Sequence, residues 1–394
     1  MRRLVTGLAA RALSLATGAA LAQDFRIALL VGRTGPLEAY AKQTETGFLL
    51  GLEYLTKGTM RVGDRRIEVL VKDDQGKPDL AKSLLEQAYQ DDKVALAVGT
   101  SSSGATLAML PVAEENKRIL IVEPAAADSI TGEKWNRYVF RTARNSTVEA
   151  LSTAIALGDD VSIGILAQDY AYGRDGAAAL RTALAATKRN APVVVEEFAP
   201  PTTIDFTAPV QRLFDALKAR PGRKAIVILW AGPHPLPRIA EMRPERFGIE
   251  LVPGGNSLEA MRPFRAYPGL EGAINYYWAF PNNPMNDWLV AEHRRRFGAP
   301  PNLLTGPGMA AAAAVVTALG RAGSADPEAL IAAMEGMEFD TPKGPMTFRR
   351  EDHQALQAMY HFRVKPDGRD EHDLLALVRE IPAADMPIPV RNGR

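Results

Sequence analysis

From Phe25 onward the chain alternates short continuous apolar runs with helical patterns, and it does so twice. The first set places strands at Phe25–Val31, Ile67–Val71, Val94–Val98, Ile119–Val122 and Tyr138–Arg141. Helices at Thr44–Leu55, Asp79–Gln90 and Gly104–Glu115 separate them. The second set has strands at Ser162–Ala167, Pro192–Phe198 and Lys224–Trp230, with helices at Thr147–Leu157, Asp175–Ala186 and Phe206–Ala219. Strands that read as unbroken apolar runs are buried on both faces. Alternation of this kind builds right-handed βαβ units and parallel sheets covered by helices. The expectation is therefore α/β, with two doubly wound parallel-sheet lobes. The last third changes character: Tyr276–Phe280 is aromatic-rich, helices are expected at Asp287–Phe297, Pro301–Leu319 and Asp326–Met334, strands at Lys343–Phe348 and Met359–Val364, and an extended Pro-rich end at Ile381–Arg394.

Residues 1–22 stand apart. They carry Arg2, Arg3 and Arg11, no acid, a small apolar stretch at Ala12–Leu21, and the ending Ala20-Leu21-Ala22. This is the layout of a secretory signal peptide cut before Gln23. No later segment approaches the ~20 apolar residues of a membrane span, so a soluble exported protein of the periplasm is expected.

Charge and cysteine content narrow the function. Lys+Arg 47 against Asp+Glu 46 leaves no bulk basic charge to hold a nucleic-acid backbone. Cysteine is absent, which removes disulfides, thiolate metal sites, thiol nucleophiles and a lipid-anchoring cysteine. The five histidines form no two-His metal spacing on a helix. No phosphate-loop or dinucleotide signature follows a strand. Gly99-Thr100-Ser101-Ser102-Ser103-Gly104 falls short of a nucleophile elbow, because position 103 is not glycine. No cofactor, metal or catalysis is expected.

The same Val98–Gly104 stretch has a positive reading. It follows a buried strand and opens a helix, where free N–H groups and serine hydroxyls make an anion site. Plain N-capping by serine is the simpler alternative. The next strand end, Glu123–Asp128, could face the same cleft.

Seven pieces in order resemble the solute-binding proteins of ABC importers of the branched-chain amino-acid type. They are Thr34-Gly35-Pro36 with Tyr40, Val71–Gln75, the Gly99–Gly104 serine loop, Pro111–Glu115, Pro124–Thr131, Tyr138–Thr142 and Gln168–Gly173. The resemblance implies a type I periplasmic binding protein: two lobes joined by three crossing segments, closing on a ligand held between them. It places the crossings near Arg141–Asn145, Tyr276–Phe280 and Met346–Glu351. Lobe 1 is then 23–142 plus 277–346, and lobe 2 is 143–276 plus 347–394. Partners implied are a small-molecule ligand, organic acid or amino acid, and the membrane permease of the importer, with the protein a monomer.

The family's carboxylate-holding serine falls on Ser103, with Ser102 beside it. The backbone donor of the next loop falls on Ala125, and the following threonine is replaced by Ala127. The pocket aromatics fall on Tyr40 and Tyr172. The acid that pairs with a ligand ammonium belongs near Gly254-Gly255-Asn256, where there is none. A desolvated ammonium without an anionic partner costs several kcal/mol, of order 3–5. The ligand is therefore expected to carry a carboxylate and no α-ammonium, an aromatic or other hydrophobic organic acid. Trp230 and Met309 are further candidate walls, though their type favours core. Arg33 could pair with a second acidic group, though an arginine is more often on the surface. Competing readings are an amino-acid or amide binder, a sensor of the same fold, and a secreted hydrolase needing a Ser–His pair.

Overall fold

A computed structural model describes residues 24–187 and 190–393. The proposed signal peptide lies outside the described residues. The first sheet holds β1 (Phe25–Val31), β2 (Arg61–Val62), β3 (Arg65–Asp73), β4 (Leu96–Val98), β5 (Ile119–Val122) and β6 (Val139–Arg141), in the order β2-β3-β1-β4-β5-β6. All pair in parallel except the β2 edge. Helices α1 (Glu38–Leu55), α2 (Pro78–Gln90) and α3 (Ser103–Asn116) connect them.

The second lobe runs α4 (Ser146–Leu157), β7 (Val161–Gln168), α5 (Ala171–Ala186), β8 (Val193–Ala199), α6 (Thr207–Lys218), β9 (Arg223–Leu229), α7 (Leu236–Glu241), β10 (Ile249–Pro253), α8 (Leu258–Met261) and β11 (Glu271–Ile274). Its parallel sheet has the order β10-β9-β7-β8. The chain then returns through α9 (Pro284–Phe297), α10 (Thr305–Ala322), α11 (Pro327–Met334) and the strands β12 (Glu338–Thr341), β13 (Gly344–Phe348) and β14 (Ala355–Leu356). It ends with β15 (Met359–Val364) and β16 (Leu375–Ile381), which join β11 in an antiparallel sheet.

Two positions in this topology matter for function. β3 and β4 flank β1, and β8 and β9 flank β7, so strand order reverses beside β1 and beside β7. Ligands of open α/β sheets sit beyond the strand ends at such switch points.

The links between lobes are tied together. Arg141, fully buried, donates from Nε to Gln354 Oε1 at 2.6 Å and from Nη1 to Ala127 O at 2.7 Å, and also bonds Thr131. Gln354 donates to Ala143 O and Gln357 to Thr142 O, each at 2.8 Å. The first and third links therefore run side by side. The third link lies later than the sequence suggests. Phe348 and Ala355 pack in the first lobe's core and β14 pairs with β13, so the chain leaves that lobe only after Leu356. Helix α1 also starts earlier than expected, at Glu38, which puts Tyr40 in its first turn.

Helices α1 and α10 touch backbone to backbone. A Cβ on Gly47 would stand 1.9 Å from Thr305 O, and one on Gly308 would stand 2.4 Å from Thr44 O. Only glycine fits such approaches. Gly47→Ala should destabilise the protein by about 1–3 kcal/mol through overpacking. Gly320→Ala, on the open side of α10, should be neutral or stabilising by up to ~1 kcal/mol. Urea unfolding of both variants checks this; equal stability of the two would contradict it.

Candidate functional site

The strand ends at the two switch points meet across one cleft. From the first lobe come Tyr40 after β1, Ser101 and Ser103 after β4, and Pro124 and Ala126 after β5. From the second come Tyr170 and Tyr172 after β7, Trp230 and Ala231 after β9, and Gly255 after β10. The serine loop reaches the cleft because β4 runs directly into Gly99. That residue has φ +144, and a Cβ there would meet Leu30 O at 2.1 Å.

Each serine has a different job. Ser102 Oγ accepts from Ala105 N at 3.3 Å and caps α3. Ser103 Oγ accepts from Ala127 N at 3.2 Å, which leaves its own proton to donate. Ser101 Oγ is shut off from solvent with no partner among the described residues. The start of α3 supplies free N–H groups and the positive end of its dipole beside them.

Arg144, in the first link, lines the cleft from below. Its Nε donates to Glu149 Oε1 at 2.8 Å and its Nη1 to Pro124 O at 2.6 Å. Nη2 has no partner among the described residues. Burial works against the Arg144 charge, but Glu149, then Tyr172 and Glu123, outweigh it and raise its pKa. Glu149 Oε2 accepts from the Tyr172 hydroxyl at 3.2 Å. Both Glu149 oxygens are thus engaged. Burial first, then Glu149, holds the Tyr172 phenol well above its ordinary value, so it stays a neutral donor.

The lobes are closed on each other. The Tyr40 hydroxyl donates to Asn256 Oδ1 at 2.5 Å and accepts from Gly232 N at 3.0 Å. Ser129 donates its N–H and hydroxyl to Asp175 Oδ2 at 3.1 and 2.8 Å. Two contiguous cavities of about 30 Å³ each remain. A water needs ~10–15 Å³ of such space, so any larger ligand requires the lobes to part. Larger hollows lie elsewhere: about 540 Å³ beside β10 and β11, and about 590 Å³ at the cleft mouth around Leu37 and Pro233. No residue of the loops after β1, β4, β5, β7 or β9 lines the first; the second lies along the outer edge of the loops after β1 and β9.

Of the residues singled out in sequence, Tyr40, Ser103, Tyr172 and Trp230 line the cleft. Asn256 is buried behind it as the Tyr40 partner. Ala125 and Ala127 are buried, and Ala126 between them faces the cleft. Ser102 is spent on capping. Arg33 lies on the surface paired with Glu45 at 3.0 Å, and Met309 is core, packed with Leu50, Met285 and Leu289. The sequence reading missed Ser101, Arg144, Glu149 and Tyr170. Arg144 falls inside the expected first link, where a basic residue between two sheets was the available signal. Glu149 is an acid at the cleft, which sequence reasoning did not place there.

A model of the periplasmic binding protein family matches residues 24–369. The chain belongs to that family. The "Leu/Ile/Val-binding protein homolog 6" of Brucella melitensis is 26% identical over 361 residues, 88% of this chain and 89% of that protein. A crystal structure from Rhodopseudomonas palustris, described as an ABC-type branched-chain amino acid transporter, is 60% identical. It covers 94% of this chain and 100% of that one, with a TM-score of 0.84. A solute-binding protein of an ABC transporter from Rhodopseudomonas palustris BisB5, in complex with 3,4-dihydroxybenzoic acid, is 27% identical. It covers 92% of this chain and 99% of that one, with a TM-score of 0.81. This chain is a periplasmic solute-binding protein of an ABC transporter, and none of its described helices is long and apolar enough to cross a membrane.

The binding protein keeps further charges beneath its cleft. Glu123 is fully buried, with Oε2 accepting from Thr142 Oγ1 at 2.9 Å and Oε1 unpartnered among the described residues. Lys343, buried in the turn before β13, bonds Gln357. Burial pushes the Glu123 carboxyl up to about 7 against the pull of Thr142, Arg144, Lys343 and Arg141. Burial likewise pushes the Lys343 amine down to about 7. Between 4.5 and about 7 the folded protein holds a proton at Glu123 that the unfolded chain has released. Raising the pH through that window therefore removes stability that is fully present below it. Glu123→Gln should abolish this loss, so its melting-temperature advantage over wild type should grow from pH 4.5 to 7. Parallel melting curves across the window would contradict the assignment.

Proposed function

We propose that the protein captures a small organic acid, aromatic or otherwise hydrophobic, between its lobes and delivers it to the permease of an ABC importer. One observation carries this reading. The cleft presents Arg144 Nη2, Ser101 Oγ and the first two N–H groups of α3 without partners among the described residues, while both oxygens of the nearby Glu149 are engaged. The unmatched charge is positive, which suits a carboxylate and leaves no free anion for an ammonium. Tyr40, Tyr172 and Trp230 supply flat apolar walls. The 3,4-dihydroxybenzoic acid bound by the Rhodopseudomonas palustris BisB5 relative supports the same class. Export through residues 1–22, action as a monomer and the absence of any catalytic step complete the proposal.

A second reading is an amino-acid ligand. Glu149 favours it, since an ammonium could displace the Tyr172 hydroxyl from Oε2, and the relatives described as branched-chain binders point the same way.

The test is titration calorimetry on protein unfolded and refolded to strip bound solute, with benzoates, phenylpropenoic acids and amino acids. Aromatic acids should bind and aliphatic amino acids should not. Arg144→Met should weaken the best acid by about 30-fold or more, the loss expected when one partner of a buried charge pair is truncated. Tight binding of leucine, undiminished in Arg144→Met, would sink the acid reading.

A further inference from the structure

The cleft has two ends of different character. The first cavity, against the first lobe, is lined by Ser101, Ser103 and Arg144, and no acid lines it. The second runs deeper into the second lobe and is lined by Glu149, Thr153 and Asn275 together with Arg144. Arg144, Tyr172, Trp230, Gly255 and Leu303 line both, so one ligand can extend through the two.

Asn275 is only 4% exposed, yet its side-chain amide has no hydrogen-bond partner among the described residues. It stands where β11 ends and the second link begins. Thr153, one turn along α4 from Glu149, is half-buried, and no side-chain hydrogen bond engages its hydroxyl among the described residues. Amides and hydroxyls withdrawn from bulk water are normally paired with protein or with an ordered molecule. Two such groups facing one small cavity call for a polar occupant.

We propose that this second cavity is the subsite for a neutral hydroxyl on the ligand, read by Asn275 and Thr153, so that the transported acid is hydroxylated at the end away from its carboxylate. The inference rests on the carboxylate reading above. Charge selects the group. A second carboxylate here would face Glu149, and an ammonium would face Arg144. The pair Arg144–Glu149 leaves the cavity without net charge. A hydroxyl donates once and accepts once or twice, and an asparagine amide with a threonine hydroxyl offers both functions.

Calorimetry on the refolded protein with matched pairs tests this: 4-hydroxybenzoate against benzoate, 4-hydroxycinnamate against cinnamate, and 3-(4-hydroxyphenyl)propionate against 3-phenylpropionate. At least one hydroxy acid should bind about tenfold or more tighter than its deoxy partner. Asn275→Ala and the near-isosteric Thr153→Val should each shrink that ratio, to within about threefold when combined, while the deoxy acid's affinity stays within about threefold. Equal binding of both members of every pair that binds, or a ratio unchanged in both variants, overturns the subsite and leaves the carboxylate reading standing. Binding of amino acids with no acid of the panel bound overturns both.

Discussion

The cleft is organised around one guanidinium. Arg144 sits in the first link, donates to the Pro124 carbonyl of the first lobe and to Glu149 of the second, and keeps Nη2 for the cleft. A buried cation survives only when paired. Glu149 provides that pairing and, through its other oxygen, fixes the Tyr172 hydroxyl. The position of one charge therefore sets the first link against both lobes and orients one wall of the cleft. It also leaves the cleft with a positive hydrogen-bonding atom not yet satisfied.

Topology explains why such a site can be built at all. Reversal of strand order beside β1 and β7 opens a crevice at the end of each sheet. The links hold the crevices face to face. Closure adds direct bonds across the gap, with the Tyr40 hydroxyl reaching Gly232 and Asn256, and Ser129 reaching Asp175. Because these bonds form only when the lobes meet, they favour the closed state alongside any ligand. The small volume left inside means that opening must precede entry. Binding energy is then spent partly on replacing wall-to-wall contacts with wall-to-ligand ones.

What the sequence made legible follows from what burial does to residue type. Parallel strands covered on both faces must be continuously apolar, so β1, β5, β7 and β9 stand out. The antiparallel β11 and β16 do not: β11 is four residues long, and β16 is largely exposed, so neither carries a clear period. Tyr40, Ser103 and Tyr172 were placed by the resemblance to the binding-protein family, and Trp230 by its position at the end of an apolar strand. Arg144 and Glu149 were not. A charged residue in a loop or first helical turn normally faces water, and only the meeting of two lobes draws this pair out of it, to side-chain exposures of 13% and 24%. Ser101 and Ser102 could not be told apart by type, since which one caps α3 depends on the register of the turn. Met309 and Arg33 went to core and surface, where residues of their type are usually found.

The most direct test of the account is the affinity of the best-binding aromatic acid compared with that of its own primary amide, measured by calorimetry on refolded protein. The two differ in charge and hardly in shape. An unmatched Arg144 backed by Ser101 and the α3 start predicts that the acid binds about 30-fold or more tighter, a gap set by the charge-assisted bonds the amide cannot make. An amide that binds as tightly as the acid would show that the cleft does not read a carboxylate, and the central claim would fail.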